Sequence, residues 1–164
     1  MAELLPRYRV IFNEVRQVSG FNFVPDISFF NRLVNKKKTS DESEPAKRKI
    51  QSMEELASEL VQVSARYGIF IPDNTIKQWF PESKALGLAV VTIGPELESE
   101  VLRLNDKQQV AQSVILDAWG SAFVEGAVKV IDRIIRNEAT LLGLMGQKRR
   151  SPGYNPWLLK DQMT

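Results

Sequence analysis

Apolar side chains recur at helical spacing in five stretches of the chain. Over residues 3–19, Leu4, Tyr8, Ile11, Phe12 and Val15 fall on one face, Pro6 sits in the first turn and Gly20 closes the run, which predicts a helix. A shorter helix is expected from about Ser28 to Lys37, carrying Phe29, Phe30, Leu33 and Val34, with Pro25-Asp26 as a turn or cap before it. Ser52-x-x-Glu55 has the spacing of a capping box. Leu56, Leu60, Val63 and Tyr67 extend a helix from it to Gly68. "IFIPDNTIKQWF" then reads as a short extended piece, a Pro-Asp-Asn turn and one turn of helix ending near Pro81. "LGLAVVTIG", residues 86–94, is β-branched and nearly all apolar, the clearest strand in the chain. Pro95 takes the first position of a helix through "ELESEVLRL", with Leu97, Val101 and Leu104 inward. Asp106-x-x-Gln109 offers another capping box to the longest periodic segment, about 107–142. Its expected apolar face is Val110, Val114, Ala118, Ala122, Val124, Val128, Ile131 and Ile135.

Three interruptions organise the rest. Residues 36–49, "KKKTSDESEPAKRK", hold no large apolar side chain and read as a solvated linker. Gly120, Ser121, Ala122 and Gly126 narrow one part of the long helix, so that another backbone or a flat ligand can approach; helix–helix packing alone also explains them. Beyond Gly143, residues 146–157 form a loop with Gly146, Pro152, Gly153 and Pro156. No segment is a copy of another.

Composition sharpens this picture mainly by what it removes. The 164 residues suit one domain or a domain with an appendage, and 43% apolar side chains suffice for a core. The formal charge is 22 − 20 = +2, low for a protein built to grip a phosphate backbone. Lys36–Lys38 and Lys47–Lys49 flank Asp41, Glu42 and Glu44, which cancel much of their field, and no aromatics interleave, so the linker reads as solvated rather than nucleic-acid-binding. Neither cysteine nor histidine is present, which excludes disulfides, thiolate nucleophiles, the usual zinc sites, histidine triads and an axial imidazole from this chain. No apolar run reaches membrane-spanning length, and the N-terminus lacks signal-peptide order, so the expected location is the cytoplasm.

The loop "RRSPGYNPW", residues 149–157, concentrates the candidate chemistry. Gly153 lets bare backbone approach a ligand, while Arg149 and Arg150 present forked donors to a carboxylate or phosphate. Tyr154 adds a ring and a hydroxyl, and Ser151 a backbone amide. Such a set suits a small anion or zwitterion with a flat aromatic part. Alternatively, Tyr154 and Trp157 pin the loop to the core and the arginines face water.

Three pieces in order, "VVTIGPELESEV" (90–101), "ILDAWGSAFVEGAVKVID" (115–132) and "RRSPGYNPWLLKDQ" (149–162), resemble the activation domain of vitamin B12-dependent methionine synthase. They are more similar still to stand-alone relatives of that domain linked with corrinoid proteins. The resemblance covers roughly residues 85–162. It implies an α+β fold with a central antiparallel sheet and long helices, in an activation-domain-like module placed at 68–164; residues 1–67, read from their own periodicity as a helical N-terminal region that includes the charged linker at 36–49, resemble no family. The resemblance further implies S-adenosylmethionine binding at the loop: Arg149 on the methionine carboxylate, Ser151 and Gly153 on the adenosyl part, Tyr154 lining the site. Asp117 and Glu125 match acidic positions of the helix segment and would face the ligand or cap the loop, or else be helix-surface carboxylates. Gly120, Ser121 and Trp157 would form a docking surface for a corrinoid protein or a larger enzyme subunit, so that the corrinoid enters only through a partner.

The chain departs from the family pattern at Ser121 and Gly143, where acidic ligand contacts stand in methionine synthase, and it is expected to be truncated after the loop. Two function classes follow: a corrinoid-linked accessory module that binds S-adenosylmethionine or a similar ligand, and a non-catalytic subunit with an eroded ligand site. A nucleic-acid adaptor working through the lysine-rich linker is a third. No residue is assigned a catalytic role.

Overall fold

In the computed structural model, which describes residues 12–34, 43–77 and 79–151, the end of the stretch expected to be helical over 3–19 is a strand, and residues 3–11 of that stretch lie outside the described residues. Strand β1, Arg16–Ser19, alternates half-buried and exposed positions. Asn13 blocks a helix, since its φ of 63° is left-handed and its amide donates to the Ile69 carbonyl. At the far end of the pairing Gly20 N–H donates to Val63 O.

Helix α1, Ile27–Leu33, starts where expected but ends at Leu33 with Val34 as its C-cap and not at Lys37, and Asp26 caps its start by accepting from Phe29 N–H at 3.1 Å. Helix α2, Glu44–Leu60, starts earlier than expected, so Glu44–Lys49 are helical and not linker. Pro45 stands within the first turn, where the ring replaces an amide that has no intrahelical acceptor. Ser52 is therefore an interior residue, and its hydroxyl donates to Lys49 O. The helix ends at Leu60 and not at Tyr67. Val63, Ala65, Tyr67 and Ile69 are all buried, a period-2 pattern, and lie in or next to strand β2, Ser64–Phe70. A short α3, Asn74–Lys77, follows the Pro-Asp-Asn turn, with Asp73 accepting from Ile76 N–H.

Strand β3, Leu86–Thr92, leads through Gly94-Pro95 to α4, Glu96–Asp106, whose Leu97 and Leu104 are buried as expected. Helix α5 runs Val110–Leu141, 32 residues. The sheet is antiparallel in the order β1-β2-β3, so the chain is α+β, and among the described residues no helix is long and apolar enough to cross a membrane.

Two compact units share these elements. One comprises Gln17–Arg66 and Val90–Ile131; the other holds the described residues up to Arg16 together with Tyr67–Ala89 and those from Asp132 onward. In the first, the core is aromatic. Phe30 stacks on Trp119 with ring centroids 3.9 Å apart, Phe23 meets Phe123 edge-on at 6.0 Å, and Trp119 donates its indole N–H to Ile50 O. Leu116, Ala122, Ala127 and Ile131 complete the buried stripe of α5. The expected face was rotated: Val110 and Val114 are exposed, while Leu116, Trp119 and Phe123 face the core.

The small residues of α5 are filled from within this unit. Gly120 lies under Leu97, and a Cβ on Gly126 would stand 2.0 Å from the Val24 carbonyl oxygen. Asp26 fastens that approaching segment to α5. Its amide donates to Ala122 O, and its carboxylate pairs with Lys129 Nζ at 2.6 Å. The hydrogen bond from Lys129, outweighing burial, holds the Asp26 carboxyl below its ordinary pKa.

Candidate functional site

The site is built from the end of α5 outward. Gly143, with φ of +71°, ends the helix: its amide donates to Thr140 O and the Leu144 amide donates to Ala139 O, the paired bonds of a Schellman turn. The chain then doubles back past the helix. Arg136, two turns upstream, donates from Nη1 to Gly146 O at 2.9 Å and from Nη2 to Gln147 O at 2.6 Å. Its Nε donates to Asp132 Oδ2 at 2.8 Å, which fixes the guanidinium plane. Gly146 eases this close approach, because a Cβ would lie 3.0 Å from Nη1 and 3.1 Å from Cγ of Arg136.

Lys148, Arg149, Arg150 and Ser151 follow this grip directly. Arg149 is half-buried and the other three are exposed. Gly153, Tyr154 and Trp157 lie outside the described residues. The structure thus assembles the beginning of the expected ligand loop, Arg149 to Ser151, in the unit that contains the end of α5.

The remaining candidates stand on the part of α5 that belongs to the aromatic unit. Asp117 is exposed, Glu125 and Ser121 are half-buried, and Gly120 is buried. Eight residues apart, Asp117 and Glu125 are separated by about 12 Å along the helix axis and about 80° around it. They therefore do not present one continuous carboxylate edge. Among the described residues no group of three carboxylates gathers to hold a metal ion. A shallow depression on α2 lined by Lys47, Gln51, Glu54, Glu55 and Glu59 contains none of the candidate residues.

A second polar cluster was not legible in the chain. Glu138 of α5 accepts from Arg16 Nη1 and from the Tyr67 hydroxyl, the latter at 3.1 Å. The Glu138 and Arg16 side chains are only 15% and 22% exposed, so each needs the other's charge. Burial, with the adjoining carboxylate, pushes the Tyr67 phenol above its ordinary pKa against the opposing pull of Arg16. Around Arg16, burial opposes the charge, but Tyr67 and Glu138 outweigh it and raise its pKa. Helical spacing had placed Tyr67 on a helix face. For Arg136 a signal did exist: the Asp132/Arg136 pair at i, i+4 just ahead of a glycine-terminated helix end.

No protein-family model matches the chain, and no curated protein matches it at a significant level.

Proposed function

We propose that the chain is an accessory module related to the activation domain of B12-dependent methionine synthase. It binds S-adenosylmethionine or a similar ligand through the loop after α5 and docks on a corrinoid or methyltransferase protein to support its reactivation. The observation that carries this reading is the order of the three sequence pieces together with the elements they occupy. "TIGPE" falls on the step from β3 to α4, "DAWGSAFVE" lies in α5, and "RRSPGY" begins just after the chain reverses past Gly143. The donor set fits the ligand's anionic end. A guanidinium matches a carboxylate with two parallel hydrogen bonds, and Arg149, being half-buried, offers them in a partly desolvated setting. The corrinoid would supply the redox and methyl-transfer chemistry from its own protein; this chain contributes binding and orientation.

A second reading, a non-catalytic subunit whose ligand site has eroded, is favoured by Gly143. In methionine synthase an acidic contact stands there, but here the position is committed to ending α5 in a left-handed conformation, which suits glycine and strains an acidic side chain. Calorimetric titration with S-adenosylmethionine separates the two. Arg149→Ala removes a charge-assisted pair, about 1.5–3 kcal/mol, and is expected to weaken binding about 10- to 100-fold. Flat traces for wild type and variant alike would rule out the first reading for this ligand and favour the second, which co-purification with a larger enzyme would then test.

A further inference from the structure

The loop that carries Arg149 is joined to its helix by more than a covalent link. Resting on the proposed ligand site, we infer that Arg136 is a positioning residue for it: the guanidinium clamps the returning chain and sets where Arg149 stands. Three observations meet at this side chain. Its two terminal nitrogens hold the adjacent carbonyls of Gly146 and Gln147, so the returning segment is gripped at two successive peptide groups. Its Nε is taken by Asp132, which leaves the guanidinium plane one orientation. Gly146 gives it room, since a Cβ there would press on Arg136 at 3.0–3.1 Å.

Arg149 lies two residues beyond Gln147, so its Cα is within about 7 Å of the held carbonyl. Over so short a span, little of the order imposed at Gln147 is lost. A cation near a helix C-terminus ordinarily satisfies that helix's own last carbonyls. Arg136 satisfies the carbonyls of the chain that has already left it, while the end of α5 is closed separately by the Gly143 turn. Asp132 offsets the charge of Arg136, so the clamp orders the loop without adding a further net cation beside Lys148, Arg149 and Arg150. The benefit to binding is preorganisation. A loop already held in place gives up less freedom when the ligand arrives.

Lysine at this position keeps the charge but cannot form a planar fork to two carbonyls and a carboxylate. Arg136→Ala and Arg136→Lys, each checked for an intact fold by its thermal midpoint, are therefore expected to weaken S-adenosylmethionine binding about tenfold. In both, backbone order parameters of residues 147–151 from nitrogen-15 relaxation should fall from the rigid range near ~0.85 to below ~0.6. Arg149→Ala should weaken binding about 10- to 100-fold and keep the wild-type order parameters. Unchanged loop order in both Arg136 variants overturns the clamp. A loosened loop with undiminished affinity, or wild-type affinity restored by lysine, overturns the positioning role. If the wild-type protein does not bind S-adenosylmethionine, the ligand reading fails and takes the positioning role with it, while the relaxation data still report whether the clamp exists.

Discussion

At the scale of single residues, the protein relies on polar side chains that each satisfy several partners. Glu138 is the clearest case, receiving a phenol and a guanidinium from two different strands. Removing the phenol donor by Tyr67→Phe is expected to cost about 1–2 kcal/mol near neutral pH, because the carboxylate keeps Arg16 but loses a hydrogen bond. The same substitution has a pH signature. The folded state holds the Tyr67 proton more tightly than the unfolded chain, which releases it near about pH 10. Stability from this group is thus complete below that pH and falls as pH rises through the higher folded value. Urea unfolding should show wild type losing more stability than Tyr67→Phe above about pH 10. Parallel curves for the two proteins would remove Tyr67 from the account.

At the scale of elements, what decided the fold was often competition between two periodicities in one stretch. Leu56, Leu60, Val63 and Tyr67 satisfy helical spacing, yet Val63, Ala65, Tyr67 and Ile69 also satisfy alternation, and the pairing of β2 with its neighbours selects the second. Strand β3 was legible because its β-branched run admits no comparable helical reading. In α5 the existence of the helix was plain but its buried stripe was displaced, since the stacking of Phe30 on Trp119 and the fit of Gly126 against Val24 depend on contacts remote in sequence. That fit yields a quantitative expectation. Alanine at 126 would gain about 1 kcal/mol of helix propensity. It would also drive its methyl into a carbonyl that cannot retreat, because the Asp26 amide two residues on is bonded to Ala122 O. Overpacking costs about 1–3 kcal/mol or more, and we expect Gly126→Ala to lower stability by about 2 kcal/mol in chemical denaturation. A neutral or stabilised variant would mean that the approach of residues 24–26 is not tight.

At the scale of the whole chain, each compact unit draws on stretches far apart in sequence, which no local pattern announces. Trp119 depends on Phe30 and Ile50, and Glu138 on Arg16, so both units lose essential partners if the first third of the chain is removed. A fragment of residues 68–164 is expected to show no cooperative thermal transition by circular dichroism; a transition at the full chain's midpoint would contradict this. The end of α5 at Gly143 was legible from its residue type, because glycine marks a left-handed helix end locally. The pairing of Asp132 with Arg136 was legible from its spacing, but which carbonyls Arg136 takes was not, since hydrogen bonds to main-chain oxygens leave no mark on the residues that accept them. That same blindness to side-chain identity has an evolutionary corollary. Arg136 grips Gln147 by its carbonyl, so exchanges at 147–150 can alter what the loop displays without unseating it. A lineage could then exchange the side chains at those positions while inheriting the mount intact.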